Sequence, residues 1–386
     1  MTAAITVIDR SATWAERAAT IAIFSANGFG FGAWASSIPS LKSHYALSDG
    51  FLSLVLLAFA IGAFVSMPVA GLLGGRLGSG LATRLTGCAF AICLLLPFLA
   101  PGLFWLFPAC FLLGSTNGAL DVCMNIHASA VEKRWGAAIM SSFHACWSAG
   151  GLAGAGFGAL VLGTGMGPLV TLTGAAVLCA VLVAGFWGVL RGGSAPAKGP
   201  SLAFPARAAI VLCLAVMLAM LTEGAIADWC GVYLATVVHT GPSASVAGYV
   251  VFTAAMVIGR VFGDAIVRSL GQRKIVQAGG AMAAAGLLLA ASFPAFLPSV
   301  IGFGLAGFGL ANLVPTLFSA GGRLGPTPAA GVAMAATAGY AGHLSGPPIM
   351  GGVATLAGLQ AGLLVLAAFG AVIALLSGAS VVQKIR

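Results

Sequence analysis

Apolar runs of about 20 residues, separated by short polar clusters, fill the chain from about residue 18 almost to its C-terminal end. That length spans a hydrocarbon core of roughly 30 Å when coiled as a helix. Twelve such runs are present, near 18–40, 49–73, 82–100, 103–130, 138–162, 167–190, 208–235, 246–268, 275–293, 297–319, 329–355 and 359–382. The longest polar stretch, Arg191–Arg207, is rich in Gly, Ser, Pro, Lys and Arg and falls between the sixth and seventh runs. The pattern predicts an all-α membrane protein of twelve transmembrane helices. Its two six-helix halves are residues 1–190 and 208–386, with 191–207 as a linker. Short strings echo between the halves: Gly118 to Asn125 against Gly309 to Thr316, and Trp147 to Gly150 against His343 to Gly346. Parallel halves of this kind place a solute site near mid-membrane.

Composition sharpens the class. Hydrophobic residues make up 60% of the 386, charged residues only 6%, and the mean hydropathy is +1.08. Ordinary soluble domains carry about a quarter charged residues. The 56 glycines have no collagen-like period and fit closely packed membrane helices instead. The net charge of +9 is topological. With a cytoplasmic N-terminus, fifteen of the seventeen Lys and Arg fall on the cytoplasmic side, leaving Lys42 in an outer loop and Arg260 within the eighth helix. The positive-inside bias therefore predicts cytoplasmic termini and gives no ground for a nucleic-acid partner. The eight cysteines stand singly in apolar runs, without CxxC or metal-ligand spacing, and read as small packing residues. No metal or cofactor is expected. The segment from Met1 to Arg17 is polar and leads into the first helix without a cleavable-leader pattern.

Against this background the polar residues inside helices are informative. Helix 7 carries Glu223 and Asp228, and helix 4 carries Asp121 with Asn125 one turn on. A charge at the bilayer centre costs roughly 2.5–3.5 kcal/mol on insertion scales, so three ionised acids would cost on the order of 8–10 kcal/mol. Helix–helix hydrogen bonds return only ~0.6–2 kcal/mol each. Protonation removes the cost, which is what proton coupling requires. Glu223 and Asp228 are five residues apart and point roughly 140° apart on an ideal helix, so they are not expected to face one cavity equally.

Helix 2 ends in Gly71-Leu-Leu-Gly-Gly75-Arg76-Leu-Gly78, and the second half has Gly263-Asp264-Ala-Ile-Val-Arg268-Ser-Leu-Gly271-Gln-Arg273. These resemble the loop signature of the major facilitator superfamily, with Gly75 where an acid is usual. More narrowly, five strings resemble its bacterial MosC-like branch. They are Asn27 with Trp34-Ala-Ser-Ser37-Ile-Pro39, Asp121 and Asn125 with Ala130-Val-Glu132-Lys133, and His144 with Ser148-Ala-Gly150. The other two are Glu223-Gly-Ala-Ile-Ala-Asp228-Trp229 and Gly339-Tyr340-Ala-Gly-His343-Leu-Ser-Gly346-Pro347-Pro348. The resemblance covers essentially the whole chain, with Ser37 in place of a usual Arg and His343 in place of a usual Phe. It implies a transporter of the bacterial cytoplasmic (inner) membrane.

The expected function is secondary active transport of a small polar solute of sugar, polyol or amino-sugar character, coupled to protons, by a chain acting as a monomer in the lipid bilayer. Glu223 and Asp121 are the proton-coupling candidates. Asn27, Trp34, Asn125, His144, Trp147, Asp228, Trp229, Asn312, Tyr340 and His343 are the substrate-binding candidates. Arg76, Arg260, Asp264 and Arg268 form a conformational latch, since Arg260, Asp264 and Arg268 succeed one another at i,i+4. A drug or metabolite exporter of the same fold is the alternative. The exporter signature in helix 5 is only partly kept: Gly154, Gly163, Gly167 and Pro168 are present, but Thr171-Leu172 stands where closing glycines belong. A membrane receptor or embedded enzyme is the alternative from another class, but the chain carries no HExxH, no nucleotide loop and no sizeable polar domain. The charge bias makes a direct prediction. Topology reporters fused after Arg386 and inserted near Pro196 both read cytoplasmic, and an external signal at either site contradicts the twelve-helix layout.

Overall fold

The computed structural model describes residues 10–136, 139–190, 207–324 and 328–376. They form α1 (Arg10–His44), α2 (Asp49–Leu77), α3 (Ser79–Cys93), α4 (Leu96–Leu99), α5 (Leu103–Trp135), α6 (Met140–Gly163) and α7 (Pro168–Gly185), followed by α8 (Arg207–Thr236), α9 (Pro242–Ser245), α10 (Ala247–Val261) and α11 (Gly263–Leu270). The chain then continues through α12 (Gln272–Ser292), α13 (Phe296–Leu310), α14 (Leu313–Leu324) and α15 (Pro328–Leu376). Ten stretches among the described residues are long and apolar enough to span a bilayer. One of them, Met334–Leu376, is two helices joined at Gly358, whose φ of 82° breaks the helical path. The 35-residue α1, with Asn27 and several glycines in its middle, supplies the remaining one of twelve. The linker and both chain ends lie outside the described residues.

The expected helices are found, mostly within about five residues of their boundaries although α1 already starts at Arg10. Three interruptions are ones that hydropathy does not reveal, the first at Leu94 and Leu95 between α3 and α4. The eighth expected helix breaks at Phe262 between α10 and α11, and the tenth breaks at Ala311 and Asn312 between α13 and α14. These last two breaks lie against each other. Asn312 donates from Nδ2 to the Gly259 carbonyl at 2.8 Å, and Arg260 Nε reaches the Ala311 carbonyl at 3.4 Å. Backbone carbonyls freed by a broken helix need donors inside a membrane, and these two side chains provide them.

Glycine governs how the helices meet. A Cβ on Gly28 or Gly32 of α1 would collide with the carbonyl oxygens of Trp147 and Gly151 on α6. Gly150 and Gly154 of α6 meet Ser25 and Phe29 of α1 in the same way. The α2–α5 seam repeats the arrangement with Gly62, Gly114 and Gly118. Small residues one turn apart let two backbones interlock, which in lipid replaces the hydrophobic drive that water would give. Outward-facing Phe104, Leu160 and Leu356 are left largely uncovered, as a lipid-facing surface requires.

The second half follows the first at the same spacing. Gly150 packs on the Ser25 carbonyl, and Gly346 lies 3.7 Å from the Leu221 carbonyl by its Cβ position. Trp147 backs Gly28, and His343 backs Gly224 at 3.3 Å. Asn27 and Trp147 of the first half thus correspond to Glu223 and His343 of the second.

Hydrogen bonds that join the halves include Ser53 to the Pro347 carbonyl and Ser243 to the Ala159 carbonyl, the latter at 2.9 Å. Gly351 also closes directly on Ser53. These lie at the end that carries the Lys42–Asp49 ion pair. At the opposite end the helix connections are polar and within one half. Glu132 accepts from the Ile139 and Met140 amides at 2.7 and 2.6 Å, capping the start of α6. Arg134 pairs with Glu16 at 2.9 Å, and Arg17 lies over the rings of Trp14 and Trp135.

The interlocked seam predicts an asymmetry between two glycines of the α1–α6 pair. Gly28→Ala places a methyl into backbone and costs roughly 1–3 kcal/mol, the range for overpacking. Gly156→Ala, on α6 with open space at its Cβ, costs nothing measurable. Thermal denaturation of the two variants in detergent checks this, and equal midpoints contradict the seam.

Candidate functional site

A cavity of about 260 Å³ lies between the halves, walled by α1, α2, α5 and α6 on one side and α8, α10 and α15 on the other. Most of its wall is apolar, including Phe31, Phe59 and Met256, and its polar groups are few. Three carboxylates, Asp121, Glu223 and Asp228, line this one space. So does one guanidinium, from Arg260.

Helix α8 meets the cavity with Glu223, Gly224, Ala227 and Asp228. Gly224 and Ala227 fall between the two acids on the helical wheel and lack bulk, so a face about 140° wide stays open. Both carboxylates therefore reach the same cavity from its two edges, where the helical angle alone predicts that they cannot share it equally. Glu223 forms an ion pair with Arg260, Oε1 to Nη2, at 3.3 Å. Arg260 also donates from Nη1 to Ser148 Oγ at 3.2 Å. Since Ser148 belongs to the first half, the guanidinium bridges an acid of its own half to a hydroxyl of the other. Asp121 accepts from Asn125 at 3.2 Å. Asp228 has no hydrogen-bond or ion-pair partner among the described residues, and its side chain is partly accessible from the cavity.

On the first-half wall, Trp147 Nε1 donates to Asn27 Oδ1 at 2.8 Å and Asn27 Nδ2 donates to Asn117 Oδ1 at 3.0 Å. On the second-half wall the His343 ring covers Gly224, with Tyr340 one turn earlier on α15.

The structure thus brings together Asn27, Asp121, Trp147, Glu223, Asp228, Tyr340 and His343 of the sequence candidates. It places five elsewhere. Trp34 is buried and stacked on Phe59 at 5.9 Å, behind the wall. Trp229 is fully buried, because one residue beyond Asp228 turns the helix by 100° into the core. Asn125 spends its amide on the Asp121 carbonyl and carboxylate, at 2.8 and 3.2 Å. His144 stands edge-on to Phe24, one turn before Ser148 and outside the wall. Asn312 is committed to the paired helix breaks. Ser37, one of the two departures from the branch pattern, is buried and bonded to the Ala33 carbonyl at 2.8 Å, so of the two only His343 faces the cavity.

The expected latch also divides. Arg260 does not turn toward Arg268 at the helix end but into the cavity, where Glu223 draws it. Arg76 and Arg268 are exposed. The side chain of Asp264 lies outside the described residues.

Sequence reading missed Asn117, Ser148, Tyr249 and Thr253 in the wall. Asn117 had a usable signal, since it precedes Asp121 by one turn and shares its face.

The sequence profile of the Major Facilitator Superfamily matches residues 20–345. An uncharacterised MFS-type transporter of Yersinia pestis is 37% identical over 351 residues, covering 89% of this chain and 90% of that protein. Membrane protein MosC of Rhizobium meliloti is 35% identical over 356 residues, covering 91% and 86%. Among solved structures, a mutant of the nucleoside transporter NupG superposes with a TM-score of 0.77, covering 93% of this chain and 98% of that one, at 14% identity.

The Glu223–Arg260 pair generates a stability prediction. Arg260→Met strands a carboxylate in the cavity and lowers the thermal midpoint, and adding Glu223→Gln restores part of the loss. Cavity water screens the pair, so the coupling is roughly 1 kcal/mol, at the upper end for accessible pairs. A double-mutant cycle by thermal denaturation measures it, and strictly additive effects contradict the pairing.

Proposed function

The chain belongs to the major facilitator superfamily, and from that premise we propose that it is a proton-coupled secondary transporter of a small polar solute. In this reading residues 1–190 and 208–386 are the two units that rock about the cavity. The basic end is cytoplasmic and the membrane is the bacterial inner one. The halves are bonded to each other at the end of the Lys42–Asp49 pair, which corresponds to closure toward the outside.

The observation that carries the proposal is the Glu223–Arg260–Ser148 bridge. An ionised Glu223 holds Arg260 in place, and a protonated Glu223 no longer does, so Arg260 is freed to leave Ser148 of the opposite half. Proton binding at one carboxylate thereby changes a bond between the halves, which is the coupling an alternating-access carrier needs. Asp121, bonded among the described residues to Asn125 alone, is a second site where a proton can be held. Asp228, which has no partner among the described residues, is placed to accept from a hydroxyl or ammonium group of the solute. With three carboxylates against one guanidinium, the cavity favours solutes rich in donors, such as polyols, sugars and amino sugars.

Uptake into proteoliposomes, with a panel of such solutes and with or without a pH gradient, tests the proposal. Glu223→Gln is expected to abolish accumulation driven by the gradient while leaving solute exchange largely intact. Asp228→Asn is expected to weaken apparent affinity about tenfold or more, the worth of one charge-assisted hydrogen bond. A Glu223→Gln protein that still concentrates solute at the full rate contradicts the coupling role. Uptake confined to lipophilic cations, with no sugar or polyol carried, contradicts the solute class.

A further inference from the structure

The hydrogen-bond chain on the first-half wall has a direction, and it is set at one end by a group with no choice. The indole N–H of Trp147 can only donate. The Asn27 atom 2.8 Å from it must therefore be the carbonyl oxygen. That leaves the Asn27 amide nitrogen facing Asn117 at 3.0 Å, and a nitrogen that donates there requires the Asn117 oxygen in return. The remaining end, the Asn117 NH₂, has no hydrogen-bond partner among the described residues and belongs to a side chain that lines the cavity. Asn27 itself is only 1% exposed, so it transmits orientation without offering much surface of its own.

We propose that Trp147, Asn27 and Asn117 form a polarised relay that makes Asn117 an obligate donor toward the bound solute, and so selects solutes with an acceptor oxygen at that wall. Asn27 is a positioning residue, and Asn117 is the residue that touches solute. Asp121 follows Asn117 on α5 by four residues, a rise of roughly 6 Å. Along this one helix the cavity therefore offers a donor and then an acceptor. A hydroxyl satisfies either position, whereas an ammonium group satisfies only the second. The inference rests on the transporter reading for its solute, but the relay itself is judged without one.

Asn27→Asp inverts the relay at nearly constant volume. The variant is read at a pH where the ¹³C carboxyl shift of residue 27 shows it ionised. That carboxylate still accepts from Trp147 but cannot donate, so Asn117 must turn its NH₂ toward residue 27 and its oxygen toward the cavity. The chain has only four asparagines, at 27, 117, 125 and 312, so asparagine-selective ¹⁵N labelling gives a readable side-chain amide spectrum. In the native protein both Asn117 N–H protons are expected to exchange with water rapidly and at least one of Asn27 slowly. In Asn27→Asp, Asn117 is expected to gain a slow proton. A protected Asn117 in the native protein, or an unchanged one in the variant, overturns the relay. Should Asn27→Asp not fold, Trp147→Phe removes the donor that sets the direction. Exchange at Asn27 and Asn117 then becomes mixed, and native-like exchange there overturns the relay equally.

Binding of deoxyfluoro and aminodeoxy derivatives of a hexose and a cyclitol, one ring position at a time, gives the second readout. At one position the native protein is expected to prefer fluorine to ammonium by at least roughly tenfold, and Asn27→Asp to reverse that order. An identical order in both proteins at every position overturns the proposed selection. If no derivative binds the native protein, the sugar and polyol reading fails, and the exchange experiment alone decides the relay.

Discussion

A guanidinium held among three carboxylates is the constraint on which the rest of the site depends. Uncompensated acids at this depth are costly, and Arg260 is the cation the structure sends to them. It neutralises only Glu223 directly, which leaves Asp121 on amide support and Asp228 to the cavity. The three acids, equivalent in kind, thus differ in what they are bonded to. Since Arg260 also holds Ser148 of the other half, the same group that balances charge also ties the two halves together.

Placing that group takes an unusual piece of backbone. Arg260 sits two residues before the break between α10 and α11, beside the break between α13 and α14, and its Nε reaches the Ala311 carbonyl. Asn312 completes the junction from the other side. The interruptions are therefore where irregular backbone is tolerated in a membrane, in protein and beside a cavity. Glycine seams do the complementary work in the first half. By letting α1 and α6 interlock, they bring Asn27 within hydrogen-bond reach of Trp147 and, through it, of Asn117 on α5.

Much of this was legible in the sequence because bilayer length acts on long segments and tolerates local error. The helices and their order follow from hydropathy, and the cost of buried charge singles out Asp121, Glu223 and Asp228, which the structure places on one cavity. What escaped depends on direction and contact. Trp229 adjoins Asp228 in sequence yet faces the core, a matter of 100° of rotation. Helical spacing points to Arg260 as a latch residue and the echo between the halves points to Asn312 as a solute-binding one, but neither signal reports a helix break and both residues stand at breaks. Asn117 was overlooked although it shares the face of Asp121, and Ser148 became significant only once a residue from the other half was seen to reach it.

The central claim is that protonation of Glu223 governs the Arg260 bridge and so couples solute to proton movement. It is tested most directly by recording external pH in lightly buffered proteoliposomes as a transported solute is added, with no gradient imposed. The account predicts that the native protein alkalinises the medium as solute enters. It also predicts that Glu223→Gln carries solute down its gradient with no pH change. Equal alkalinisation by the two proteins would contradict the claim.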